Sequence, residues 1–152
     1  MSDATSNLPS IIQPSQGTVM HAFGGALTLH VGGEETGGRL ALLTIITPPG
    51  GGPPTHYHLN EDECFMVEEG TMSFFCDGKW TDVDAGGVVF MPRTSIHTFK
   101  NNGNEPTRMT VTATPSGFEV FFAQCAEEFA KPGGPDMERI VAISAEHRIH
   151  YV

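Results

Sequence analysis

The chain has 152 residues, a formal net charge of −10 and 8 lysines and arginines in total. This length suits one domain with a real core and excludes a second full domain, while the scattered cations form no basic stripe able to track a phosphate backbone, so nucleic acid is excluded as a partner. The 3 cysteines lack CxxC spacing, which argues against a disulfide framework and for a reducing, cytoplasmic setting, and no apolar run approaches the roughly 18 residues of a membrane span.

Residues 1–18 are rich in Ser, Pro, Asn and Gln and read as a flexible N-terminal arm. From Val19 to Ala113 short runs rich in Val, Ile, Thr and Phe recur, each bounded by Gly, Pro, Asn or Asp. That rhythm predicts strands near 19–22, 26–31, 39–47, 54–58, 63–68, 71–77, 80–83, 87–91, 96–101 and 107–113. The fold class is therefore all-β, a jelly-roll (double-stranded β-helix) barrel over residues 19–115. The run from Arg39 to Thr47 is apolar on both faces and needs cover on each, from the arm, the C-terminal segment or a second subunit; a homodimer is the expectation. After Pro115 the period changes. Val120, Phe121, Cys125 and Phe129 recur near 3.6, Pro132-Gly133-Gly134 ends the helix, and a second helix is expected from Asp136 to about Glu146. Residues 116–152 thus read as a C-terminal extension of short helices packed on the barrel.

Chemistry concentrates between these elements. His56 and His58 flank Tyr57 on a strand, and period-two alternation sends both imidazoles to one face. Glu63 lies an odd number of positions further on, so Leu59 to Asp62 must reverse the chain for its carboxylate to point back at the histidines. The remaining acidic residues of this stretch, Glu61, Asp62, Glu68 and Glu69, read as a solvated turn. Cys64 alternates away from Glu63, which leaves a site of nitrogen and oxygen only. His97, which follows the turn Met91-Pro92-Arg93-Thr94-Ser95, is the candidate fourth ligand. His21, His30, His147 and His150 have no partner spacing and are assigned no role.

These residues carry a resemblance. Gly50-x5-His56-x-His58-x4-Glu63-x6-Gly70 resembles the first cupin motif position by position, and Gly86-x5-Pro92-x-Thr94-x2-His97-x3-Asn101 resembles the second. The departure is Thr94, where the family usually has Gly; Thr tolerates positive φ poorly, which points to a turn of altered shape. Through Thr36-Gly37-Gly38, the segment Pro48 to Pro54, and the segment Thr114 to Phe122, the chain is similar to the single-domain cupins of the quercetin 2,3-dioxygenase-like group. The resemblance implies a cupin barrel holding one divalent transition metal through His56, His58, Glu63 and His97. Three imidazoles and a carboxylate leave open positions that suit Fe, Mn, Co, Ni or Cu and permit Zn.

It further implies a dioxygenase cleaving a small flavonol-like or other enolisable aromatic substrate, with Glu63 both ligand and catalytic base and dioxygen as co-substrate. Alternatives are a cupin isomerase, decarboxylase or hydrolase, or a non-catalytic small-molecule binder. With Glu63 inward, Phe65 and Val67 share its face, and a tight turn at Glu69-Gly70 is expected to pair them with Phe74 and Met72 on the next strand; Phe99 shares the face of His97. Phe65, Met72, Phe74 and Phe99 are accordingly the expected substrate contacts, forming a wall for an apolar or aromatic ligand.

Overall fold

Strands that are successive in the chain are repeatedly placed on opposite sides of a barrel. In the computed structural model, which describes residues 8–152, the strands are β1 (Thr18–Ala22), β2 (Gly25–Val31), β3 (Ala41–Thr47), β4 (His56–His58), β5 (Asp62–Glu69), β6 (Thr71–Cys76), β7 (Lys79–Asp84), β8 (Val88–Met91), β9 (His97–Lys100), β10 (Thr107–Thr114) and β11 (Ile149–Tyr151). They form a six-stranded sheet in the order β1-β2-β3-β10-β5-β8 and a five-stranded sheet in the order β11-β4-β9-β6-β7. Three helices accompany them: α1 (Gly33–Thr36), α2 (Phe118–Phe129) and α3 (Met137–Glu146). Of the arm expected at residues 1–18, residues 1–7 lie outside the described residues; Pro14–Gln16 form a single 3-10 turn and β1 begins at Thr18.

Alternation builds the core. On β5 the buried positions are Glu63, Phe65 and Val67, on β10 they are Thr107, Met109, Val111 and Ala113, and on β3 they include Ala41, Leu43, Ile45 and Thr47. Phe65, Val67, Leu43, Met109 and Val111 meet Met72 and Phe74 of β6 in one cluster, each such side chain contributing about 1.5–3 kcal/mol of burial. The outward side of β3 is covered in part within the chain: Thr44 is buried, with its Oγ1 2.7 Å from Nε2 of His30, whereas Ile46 stays 44% exposed.

The hairpin expected at Glu69-Gly70 does not form. β5 pairs with β10 and β8, and β6 pairs with β7 and β9, so the chain crosses between sheets at Gly70, whose φ is +80°. Phe65 and Phe74 still meet, with ring centroids 5.4 Å apart, but across the barrel rather than along a ladder. The turn from Leu59 to Asp62 behaves likewise, carrying the chain from β4 in one sheet to β5 in the other.

The C-terminal segment is more than helices. Asp136 caps α3, its Oδ1 accepting from the backbone N–H groups of Glu138 and Arg139 at 3.0 and 3.3 Å. Beyond α3, β11 adds a strand to the outer edge of β4, with Tyr151 opposite His56 and Ile149 opposite His58. Among the described residues no helix is long and apolar enough to cross a membrane.

Candidate metal centre

Four residues from three strands converge at one end of the barrel. His56 and His58 stand on β4, His97 begins β9 directly opposite His56 in the register, and Glu63 reaches across from β5 in the facing sheet. All four are buried, with exposures of 8%, 2%, 2% and 3% for His56, His58, His97 and Glu63. One ligand-type atom from each lies within 4.8 Å of the others. Glu63 Oε2 is 3.0 Å from Nε2 of His97 and 3.4 Å from Nε2 of His58.

Each imidazole is oriented through its other nitrogen. Nδ1–H of His56 donates to the Pro54 carbonyl at 2.7 Å, Nδ1–H of His97 donates to the Ser95 carbonyl at 2.8 Å, and Nδ1–H of His58 donates to Oε2 of Glu61 at 3.0 Å. Carbonyl and carboxylate oxygens can only accept, so in the neutral rings the proton sits on Nδ1 and the Nε2 lone pair points inward. Nε2 of His58 is buried with no hydrogen-bond partner. Three lone pairs and a carboxylate facing one another repel unless a cation or protons lie between them, so these residues fit a divalent ion. Without an ion, protons take its place in part, since Nε2 of His97 lies within hydrogen-bond distance of Glu63 Oε2. Burial, helped by His97 and His58, pushes His56 down to about 4, which keeps it neutral. Burial alone would raise Glu63, but His58, His97 and His56 together hold its carboxyl at about 2. For His58 burial acts downward and is outweighed by the Glu63 and Glu61 carboxylates, which raise it.

The turn before His97 has left-handed backbone at Thr94. Thr94 sits at φ +74°, and its N–H donates to the His58 carbonyl at 2.6 Å. The β-branched residue is held in the left-handed region, tying the His97 turn to β4.

A cavity of about 60 Å³ adjoins the four side chains. Of the expected contacts, Phe65 and Phe99 line it, while Met72 and Phe74 do not; Phe74 packs edge-on and tilted against those two rings from within the core. Because β6 follows a sheet crossing, the inward face of β6 places Phe74 opposite Phe99 and carries Met72 one step further from His97. Much of the remaining wall was not foreseen. Phe118, Phe121 and Phe122 of α2, Phe23 between β1 and β2, and Tyr151 of β11 also line it, with the Phe118 ring 5.6 Å from that of His58. The pairing of Phe121 with Val120 and Cys125 as a helical stripe signalled an apolar face without showing what it would cover. Glu61, read as part of a solvated turn, is instead 4% exposed and bonded to His58.

Comparison with known proteins places this geometry. Residues 43–113 match the family model described as the Cupin domain. The chain is 25% identical over 96 residues to quercetin 2,3-dioxygenase of Bacillus subtilis (strain 168), covering 63% of this chain and 28% of that protein. It is 30% identical over 106 residues to the probable oxidoreductase patJ of Penicillium expansum, covering 60% of this chain and 32% of that one. The chain thus spans about a third or less of the length of these relatives. Among solved structures, the polyketide cyclase RemF of Streptomyces resistomycificus superposes with a TM-score of 0.62 at 22% identity, over 72% of this chain and 81% of that one, a likeness of fold.

Proposed function

We propose that this chain, whose residues 43–113 match the Cupin domain family model, is a metal-dependent dioxygenase acting on a small enolisable aromatic substrate of flavonol-like chemistry. The observation that carries the reading is the convergence of three Nε2 lone pairs and the Glu63 carboxylate beside a cavity walled by aromatic rings. The similarity to a quercetin 2,3-dioxygenase over 96 residues supports it.

His56, His58, His97 and Glu63 would hold one divalent transition metal. Such an ion would supply electrophilic activation, acidifying a hydroxyl brought beside it. Glu63 is the carboxylate placed to take a proton from a hydroxyl brought beside it. The backbone-anchored Nδ1–H groups of His56 and His97 keep both rings from rotating as that proton moves. Phe65, Phe99 and Phe118 keep water from the site and present ring edges and faces to a flat ligand. No Lys or Arg lines the cavity, which disfavours sugar phosphates and other polyanions. At about 60 Å³ the cavity is well below the ~300 Å³ of ordinary ligand sites, so a flavonol-sized substrate requires its wall to open.

An oxygen electrode tests the proposal, using metal-loaded protein with flavonols and smaller enolisable phenols. Substrate-dependent oxygen uptake is expected, and in Glu63→Gln the rate falls about 10²–10⁴-fold per metal ion retained. Full turnover in a metal-replete Glu63→Gln protein would remove the base role, and substrate conversion without oxygen uptake would replace the dioxygenase by a Lewis-acid reaction.

A further inference from the structure

The three ligand-type histidines differ in what holds them. Two donate Nδ1–H to neutral backbone carbonyls two residues upstream, Pro54 and Ser95, while His58 alone of the three donates to a carboxylate. That carboxylate belongs to Glu61, which is 4% exposed in a turn where the chain could have placed it in solvent. Its other oxygen faces the start of α2, where a Cβ at Gly117 would come within 3.8 Å of Oε1. Burying a carboxylate costs several kcal/mol unless a specific partner compensates, and the partner found here is the ring whose opposite nitrogen is buried without one.

We propose that Glu61 is a positioning residue for the metal centre: through Nδ1–H it gives His58 imidazolate character and makes its Nε2 the strongest nitrogen donor of the set. The inference rests on the metal-centre reading above and adds an outer carboxylate to it. An acceptor bearing negative charge draws the Nδ1 proton toward itself and raises electron density at Nε2, an effect a backbone carbonyl produces only weakly. Glu61 touches neither the cavity nor the inward lone pairs, so its influence runs through His58.

The test is Co(II) binding, followed by visible absorption and by competition with a chelator. In Glu61→Gln the side-chain oxygen can still accept from Nδ1–H, so ring orientation is kept while the charge is lost. The expected result is a 10–100-fold weaker Co(II) affinity and a displaced ligand-field band, with an unchanged melting temperature of the metal-free protein. Glu61→Asp, which keeps the charge, is expected to recover part of the affinity and move the band back. Wild-type affinity and spectrum in Glu61→Gln would overturn the proposal while leaving the metal centre intact. A Glu61→Gln protein that fails to fold, or loses stability without Co(II) in step with its affinity, would also overturn it, because the carboxylate would then hold the turn rather than tune the ligand. Absence of Co(II) binding by the wild type would overturn the metal-centre reading as well.

Discussion

At the residue scale the site works by fixing nitrogens from behind. Every inward Nε2 is oriented by a bond on the other side of its ring, so each ring's rotation is set by the protein itself. Acid stability of the metal-free protein follows from the same burial. His56 is held at about 4 against 6.5 when unfolded, so between those values the unfolded chain binds a proton that the folded chain refuses, and stability falls as pH drops through that window. The raised His58 acts oppositely, its contribution being fully present below 6.5 and lost as pH rises past its folded value. Glu63, held at about 2, contributes stability that is fully present above 4.5 and is lost as pH falls from 4.5 through 2. Chelator-treated protein should therefore melt several degrees lower at pH 5 than at pH 7, and an equal or higher melting temperature at pH 5 would contradict the burial assigned to His56. Thr94 offers a second check. A β-branched residue at φ +74° is strained, and Thr94→Gly should raise stability by up to about 1 kcal/mol in denaturant melts; a loss would mean that the Thr side chain contributes more than its backbone costs.

The clustering of these side chains was legible in the sequence because a pair of histidines at i, i+2 needs only alternation to share a face, and His97 because its turn is marked by Pro92. Glu61 was not. It stands between Asn60 and Asp62 in an acidic turn, where spacing says nothing about which carboxylate is buried; its neighbour Asp62 faces outward to pair with Arg93, Nε to Oδ1 at 3.1 Å.

At the element scale the decisive feature is where strands cross between sheets. Alternation fixes which face of β5 and β6 is buried, and it does so equally for a hairpin and for a crossing, so Phe65 and Phe74 were correctly seen as neighbours for the wrong topological reason. The Gly-rich segment before β4 shows a comparable constraint. Gly50 N–H donates to the Asn101 carbonyl and Asn101 N–H donates to the Gly51 carbonyl, at 2.7 and 3.0 Å, docking the segment on the end of β9. At Gly52, with φ +151°, a Cβ would sit 2.0 Å from the Phe99 carbonyl oxygen. Gly52→Ala should accordingly cost more than about 2 kcal/mol and weaken metal uptake by displacing His56, read by chemical denaturation and metal titration. A neutral substitution would show that this segment does not position β4.

On the scale of the whole molecule, the barrel was legible from punctuation alone: Gly, Pro, Asn and Asp between short β-rich runs. The closing strand was not, because Ile149 to Tyr151 is three residues long and follows a helix through Arg148 at φ +57°, a break without glycine or proline to mark it. That strand matters for the site. It leaves β4 flanked on both sides, by β9 and β11, and brings Tyr151 to the cavity beside His56, with the Tyr151 hydroxyl and Ser144 Oγ 2.9 Å apart. The α2 rings complete the enclosure, so the four clustered side chains come from the barrel and much of the apolar wall from elements outside its predicted strands. The whole account depends on a cation occupying the space between His56, His58, Glu63 and His97. Elemental analysis of protein equilibrated with a divalent transition metal and then freed of excess should give about one ion per chain, falling sharply in His97→Ala; a wild-type protein that retains none, or a His97→Ala protein that retains as much, would contradict it.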